Sequence, residues 1–126
     1  MFSHMMVGSN DLDRSKTFYD KLLGVLGARP GQIDPKGRLV YSTSTGVFLV
    51  TKPLDGKPAT PGNGMTIGFA CSSPEQIHAW HKAGLEGGGE DIEDPPGVRE
   101  GGGVRLYLAY LRDPDGNKLC GLYRMP

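Results

Sequence analysis

Residues 65–89 read MTIGFACSSPEQIHAWHKAGLEGGG and decide the fold, because a strand and a clearly marked helix follow one another there. Met65 to Cys71 has the length and apolar composition of a strand. Ser73-Pro74-Glu75-Gln76 is a capping box with proline at the first helical position, which predicts the start of a helix. The glycine run at 87–89 ends this helix, and its buried face is predicted to consist of Ile77, Trp80, Ala83, Gly84 and Leu85.

The same pattern occurs 62 positions earlier in the chain. Phe2 to Gly8 predicts a strand, and a helix capped by Asn10 and Asp11 is predicted from about Asp11 to Leu23. Positions in like elements and on like faces match at this constant offset: His4 with Thr66, Val7 with Phe69, Phe18 with Trp80, Leu23 with Leu85 and Gly27 with Gly89. The sequence therefore predicts two copies of one strand, helix and strands unit. Two such units side by side enclose a cleft between their sheets, where small ligands bind.

Further strands complete each unit. Arg38 to Thr43 and Val47 to Thr51 predict two strands around a turn in the first unit. In the second unit, Val104 to Leu111 and Lys118 to Tyr123 flank Asp113-Pro114-Asp115-Gly116-Asn117, a turn with proline early and glycine late. We divide the chain into module one, about residues 1–52, a linker rich in proline and glycine, about 53–63, and module two, about 64–126.

The composition excludes several classes of protein. The 126 residues provide room for one domain. The 14 Lys and Arg balance 14 Asp and Glu, so no net charge attracts nucleic acid or an anionic membrane. No apolar run approaches the roughly 20 residues of a membrane span, and the N-terminus has no export signal. We expect a cytoplasmic protein with reduced cysteines and no nucleic-acid or membrane partner.

Three stretches carry a resemblance to a known family. They read FSHMMVGSNDLDRSKTFYDKLLG at 2–24, GNGMTIGFACSSPEQIHAWHKAGLEGGG at 62–89 and YLAYLRDPDGNKLCGLY at 107–123. In this order and spacing the chain resembles the glyoxalase, bleomycin resistance protein and extradiol dioxygenase superfamily, also called vicinal oxygen chelate proteins. The resemblance implies an α+β fold in which two βαβββ modules form an eight-stranded, cup-shaped sheet, commonly in a homodimer. Our own count of strands is lower, because the third strands, expected near Ile33 and near Ile92, are not located by the pattern.

The resemblance also implies four inward positions that hold a metal in relatives that use one. His4 occupies the first of these positions, Thr66 and Cys120 occupy two others, and the fourth lies within Phe48 to Thr51. Only His4 is a residue of ligand type. A catalytic divalent site needs about three protein ligands, so no metal cofactor is expected. A replaced ligand set that holds Zn, Ni, Mn or Fe stays as an alternative.

The candidate catalytic residues are His4 and Cys120, because an imidazole beside a thiol can act as a base or generate a thiolate. The alternatives are a His4 that hydrogen-bonds a ligand and a Cys120 that is a small buried hydrophobe. Arg105 and Tyr107 share one face of their strand and would bind an anionic or aromatic group if that face lines the cleft, although ordinary strand pairing also explains them. The candidate substrate-binding residues are Thr66, Arg105, Tyr107 and Phe48.

Functions from different classes are consistent with these residues. The first is a metal-independent enzyme, similar to a lyase or isomerase, that transforms a small organic molecule. The second is a protein of the bleomycin-resistance type that binds and sequesters such a molecule without turnover. A metal-dependent lactoylglutathione lyase or dioxygenase is the third.

Overall fold

The first half of the chain forms one sheet and one helix. In the computed structural model, which describes all 126 residues, its elements are β1 (His4–Gly8), α1 (Leu12–Gly24), β2 (Gln32–Ile33), β3 (Leu39–Thr43) and β4 (Gly46–Thr51). The sheet has the strand order β1-β4-β3-β2, and only the β1 and β4 pair is parallel. Strand β1 therefore lies at one edge of this sheet, with its other side unpaired.

The second half repeats this arrangement. Its elements are β5 (Ile67–Ala70), α2 (Pro74–Glu86), β6 (Glu90–Asp91), β7 (Gly97–Gly101), β8 (Val104–Arg112) and β9 (Lys118–Arg124). The strand order is β5-β9-β8-β6, β7 also pairs with β8, and the β5 and β9 pair is parallel. Two helices with two mixed sheets make an α+β fold, as predicted.

Helices α1 and α2 each have 13 residues, and they begin and end 62 positions apart. The caps are equivalent, since the side chain of Asp11 accepts from the Arg14 amide and that of Ser73 from the Gln76 amide, both at 3.1 Å. The second half of the capping box differs from expectation. Gln76 Oε1 accepts from the Ser72 amide at 2.7 Å, one residue before the cap. The offset seen in the sequence thus corresponds to equivalent helices in the structure.

The chain has nine strands where eight were expected, because the second strand of the second half, the one expected near Ile92, is split. Strands β6 and β7 lie along the same edge of β8, opposite Arg112 and Leu108 at their first residues. Between them Glu93 has a φ of 59°, and Pro95-Pro96 provides no amide hydrogen. Proline interrupts the ladder of hydrogen bonds, so the strand stops and restarts.

One core joins the two halves. It includes fully buried side chains of α1 and α2, among them Phe18, Leu22, Ile77 and Trp80. The helices contact each other at Gly84, where a Cβ atom would collide with Leu111 and lie 3.2 Å from Leu22. Neither helix is long and apolar enough to cross a membrane.

The turn between β8 and β9 reaches across from the second half to the first. Asp115 Oδ1 accepts from the Asn10 amide and from the Arg14 guanidinium, each at 2.9 Å. Asp113 is buried, and its Oδ2 accepts from the Tyr19 hydroxyl at 2.5 Å. Carboxylates at the beginning of a helix are favoured by its unpaired amides and its dipole. This turn therefore fixes the second half against the start of α1.

Candidate functional site

A cavity of about 650 Å³ lies between the two halves of the chain. Its walls come from the beginning of β1, the turn between β3 and β4, the beginning of β4, strand β5 and the beginning of α2. Small-molecule sites in proteins have volumes of roughly 300–1,000 Å³. The cavity is large enough for a ligand of that class.

In the other half of the chain, the place equivalent to this cavity is filled by Asp115, which contacts the start of α1. Ser72 and Gln76 stand 62 positions after Asn10 and Arg14, two of the residues that bind Asp115, and both line the cavity. They are faced by the two-residue turn Ser44-Thr45, whereas the turn with Asp115 spans residues 113–117. The shorter turn places no carboxylate against the start of α2. The space that is filled in one half of the molecule is consequently open in the other.

The inner wall of the cavity is apolar and aromatic. Phe48 of β4 and Phe69 of β5 meet with ring centroids 5.5 Å apart and so bring the two sheets together. Ile67 and Tyr41 also line this wall. The Tyr41 hydroxyl donates to Asp20 Oδ1 at 2.7 Å, and burial together with Asp20 raises the pKa of Tyr41. The phenol therefore stays protonated at neutral pH and is unsuited to act as a base.

Polar but uncharged side chains surround the exposed part of the cavity. They include Ser3, Thr45 and Gln76, in addition to the imidazole of His4. The Ser3 hydroxyl lies 2.8 Å from His4 Nδ1, and His4 Nε2 has no hydrogen-bond partner within the chain. No Asp, Glu, Lys or Arg lines the cavity. The site therefore offers hydrogen bonds at its rim and apolar contact at its base.

Of the six residues predicted for the site, the structure brings two to the cavity. His4 lies at its exposed edge and Phe48 on its inner wall. Thr66 is exposed just before β5, and neither it nor Cys120 lines the cavity. Catalysis by His4 and substrate binding by Phe48 stay predictions.

Arg105 and Tyr107 do not face the cavity, contrary to the sequence interpretation. Tyr107 lies on the side of β8 that α2 covers, and its hydroxyl is 2.7 Å from Nε2 of His78. Arg105 Nε donates to Glu100 Oε1 at 3.1 Å. The alternation of β8 put these two residues on one face correctly, but that face is the helix side of the sheet. The pattern could not distinguish the two sides, because both are partly apolar.

Cys120 lies on the other side of the same sheet, opposite Tyr110 in the strand ladder. The residue is 5% exposed, and burial raises the pKa of its thiol even though the neighbouring Tyr110 hydroxyl acts to lower it. The remaining charges around it belong to Glu93, Lys118 and Arg99. No imidazole is among these neighbours, so the expected thiol and imidazole pair with His4 is not formed.

The residues of this chain do not fit a metal site. No three His, Cys, Asp or Glu side chains come close enough together to hold an ion. Around the cavity His4 is accompanied by Cys71 and by hydroxyl groups. One imidazole and one thiol are fewer than the three protein ligands that a catalytic divalent site needs, and hydroxyl groups are poor ligands for a transition metal. No chemical step of this chain is therefore assigned to a metal.

Several cavity residues were missed by the sequence reasoning, namely Tyr41, Ile67, Phe69, Ser72 and Gln76. A signal for the last two was present. The offset of 62 aligns them with the residues that bind Asp115, and the two turns that face these positions differ in length. Comparing turn lengths between the halves would have indicated an open space at the start of α2.

Comparisons with known proteins agree with this fold. A family model described as the Glyoxalase/Bleomycin resistance protein/Dioxygenase superfamily matches residues 1–120. The crystal structure of a glyoxalase/bleomycin resistance protein from Albidiferax ferrireducens T118 is 57% identical, with a TM-score of 0.94 over 98% of this chain and 99% of that chain.

Two more distant structures show the fold alone. A glyoxalase/bleomycin resistance protein/dioxygenase family enzyme from Burkholderia phytofirmans PsJN is 18% identical, with a TM-score of 0.72 over 95% of each chain. A glyoxalase/bleomycin resistance protein/dioxygenase from Alicyclobacillus acidocaldarius is also 18% identical, with a TM-score of 0.67 over 98% of this chain and 90% of that one. No curated protein matches the sequence.

Proposed function

Since this chain belongs to the glyoxalase/bleomycin resistance protein/dioxygenase superfamily, we propose that it binds a small organic molecule in the cavity between its two halves. The supporting observation is the cavity itself, about 650 Å³ with an aromatic inner wall and no charged lining residue. Apolar ligand surface buried there gains about 25 cal/mol per Å². A charged group placed against the same wall would lose its hydration without a partner. The part of the ligand inside the cavity is therefore apolar and uncharged.

Binding without turnover, as in a sequestering protein, is the function that this geometry supports best. The thiol of Cys120 is not on the cavity, and the phenol of Tyr41 is held protonated by burial and Asp20. The donor set does not fit a metal. These observations argue against catalysis at the site by the Cys120 thiol, by the Tyr41 phenolate or by a metal. None of them opposes binding.

His4 supports a second candidate, a metal-independent lyase or isomerase. Nε2 of its imidazole has no partner within the chain and is free to exchange a proton with a ligand, while Nδ1 lies against Ser3. For a ligand found by screening, His4→Ala distinguishes the two functions. A loss of turnover with nearly unchanged affinity would identify an enzyme, and a loss of affinity alone would identify a binding protein.

The binding proposal is tested with N-phenylnaphthylamine, an uncharged aromatic dye that fluoresces in apolar surroundings. Ala28 is half-buried, packs against the core and lines the cavity, so Ala28→Trp places a large side chain there. We expect the wild-type protein to bind one equivalent of dye and Ala28→Trp to weaken binding by at least about tenfold, equivalent to about 1.4 kcal/mol.

Ala83→Trp is the matched control. Ala83 is also a half-buried alanine, but it lies in α2 and does not line the cavity. Dye binding should be unchanged in this variant. Equal affinities of wild type and Ala28→Trp, or no saturable binding to the wild type, would refute the proposal.

A further inference from the structure

A second cavity, of about 710 Å³, adjoins the first. The two share four lining residues, Leu26, Tyr41, Thr43 and Ser44, so they meet along the end of β3. The second cavity extends toward the loop between α1 and β2 and includes Arg29. A molecule seated in the first cavity can therefore extend past Thr43 and Ser44 into the second.

The second cavity differs from the first in its charge. It is lined by one cation, Arg29, and one carboxylate, Asp34. The negative charge of Asp34 is balanced within the chain, because Arg38 Nε donates to its Oδ2 at 2.7 Å and the amides of Lys36 and Arg38 donate to its Oδ1 at 2.9 Å each. These hydrogen bonds, with the Arg38 amide foremost, hold the pKa of Asp34 below its usual range. Asp34 thus stays ionised and occupied.

Arg29 has no such partner. Its guanidinium makes no ion pair or side-chain hydrogen bond within the chain, although the chain forms seven ion pairs elsewhere. One unpaired positive charge therefore lines the same cavity as Ser42, Thr43 and Ser44. Guanidinium and hydroxyl donors together are suited to a carboxylate or another oxyanion.

We propose that the ligand is an amphipathic organic acid, with its apolar aromatic body in the first cavity and a single anionic group in the second, against Arg29. This inference rests on the proposed function and specifies the chemical class of its ligand. The apolar body accounts for the uncharged walls around Phe48 and Phe69. The anionic group accounts for the one cation without a partner on the adjoining walls.

Two dyes with one aromatic scaffold test this division. Anilinonaphthalenesulfonate carries an anionic group that N-phenylnaphthylamine lacks, and both are measured by fluorescence titration of the intact protein. We expect Arg29→Gln to weaken binding of the sulfonate by about five- to tenfold and to leave the uncharged dye unchanged. We also expect about 1 M salt to weaken only the sulfonate, because the contact with Arg29 is exposed and screened.

Arg124→Gln serves as the control, because Arg124 is also exposed and without an ion pair but lies at the end of β9, outside both cavities. It should change the affinity of neither dye. If Arg29→Gln left the sulfonate unaffected, or weakened both dyes equally, the inference would be wrong while the proposed function stood. If Ala28→Trp failed to weaken either dye, the proposed function itself would be wrong.

Discussion

The surroundings of Cys120 determine whether its thiol is reactive. The sequence aligns it with a ligand position of metal-using relatives, which makes it a candidate for catalysis. In the structure it is buried between neighbouring strands, and burial raises the pKa of its thiol. Cys71 is half-buried, and burial raises its pKa to about 11. Neither thiol is a thiolate at neutral pH, and thiolate is the reactive form.

We therefore expect both cysteines of the native protein to react slowly with iodoacetamide at neutral pH. Both should be alkylated quickly once the chain is unfolded in denaturant, as followed by the mass increase of the whole protein. Cys71→Ser and Cys120→Ser variants assign the two sites separately. Rapid alkylation of the native protein that disappears in Cys120→Ser would return Cys120 to the list of catalytic residues.

The surroundings of Asp20 lower its pKa, because hydrogen bonds to the carboxylate outweigh the effect of burial. Burial pushes its pKa up, but bonds from Lys16, the Gly31 amide and Tyr41 hold the pKa below 3.8. The ionised form is favoured in the folded state. Its contribution to stability is thus present above about pH 4 and is lost as the pH falls through the lowered pKa.

Asp20→Asn should accordingly lower the free energy of unfolding at pH 7 and have a smaller effect near pH 3. Urea denaturation at the two pH values measures both differences. Asp13→Asn is the comparison, because no side-chain bond involves the Asp13 carboxylate, which lies exposed on the same helix. A deficit of Asp20→Asn that was equal at both pH values would show that the ionised carboxylate is not the source of the stability.

At the scale of elements, the turn at 113–117 is the piece that organises the contact between the halves. Asp113 Oδ1 accepts from the amides of Asp115 and Asn117, at 3.0 and 2.9 Å, which fixes the turn. Its other oxygen receives the hydroxyl of Tyr19 from α1. Burial and the adjacent carboxylate raise the pKa of Tyr19, so this hydroxyl remains a donor.

Tyr19→Phe removes one donor from a buried carboxylate and is expected to destabilise the protein by about 1–3 kcal/mol. Urea denaturation of the variant measures this loss. Tyr123→Phe provides the control, since the Tyr123 hydroxyl has no partner within the chain, and it should change stability by less than about 0.5 kcal/mol. Equal effects of the two substitutions would argue against the bond between α1 and the turn.

The elements also differ in how far the sequence predicts them. Helix α2 is located to the residue by the Ser73 cap and Pro74, and the long strands β8 and β9 by their apolar content and the turn between them. Strands β2 and β6 have only two residues each. Two residues are too few to show the alternation of apolar and polar side chains that identifies a strand. The pairing of such a strand depends on a neighbour elsewhere in the chain. Such strands are therefore not visible in the pattern.

At the scale of the whole molecule, the cavity depends on the turn between β3 and β4 being shorter than the turn between β8 and β9. No local sequence pattern contains the comparison of these two lengths. His4 and Phe48 were recognised through the family resemblance, which places inward positions at His4 and within Phe48 to Thr51. The wall formed by Ile67, Phe69 and Gln76 exists only when the second half is placed against the first. The candidate site was thus predicted only in part, through His4 and Phe48 of module one.

A homodimer, which the resemblance implies, is also a property of the whole molecule and stays a proposal. Several large apolar side chains are exposed in the isolated chain, including Phe2 at 73%, Met6 at 38% and Met65 at 47%. Met6 lies on the unpaired edge strand β1. An exposed edge that carries apolar side chains favours association with a second copy.

Sedimentation equilibrium should then give twice the chain mass of 13.5 kDa. Met6→Lys should shift the protein toward monomer, since a charge on the edge strand opposes pairing. Lys36→Glu, in the loop before β3, should leave the mass unchanged. A mass of one chain at all concentrations would refute the proposed dimer.

The two-residue turn at Ser44-Thr45 has a consequence for how such a protein can diversify. It lies at the surface and outside the core, so residues can be inserted there at little cost to stability. The volume available to a ligand can therefore vary between descendants of one ancestor while the fold is inherited intact. A duplicated architecture of this kind separates the part that must be preserved from the part that is free to acquire new specificities.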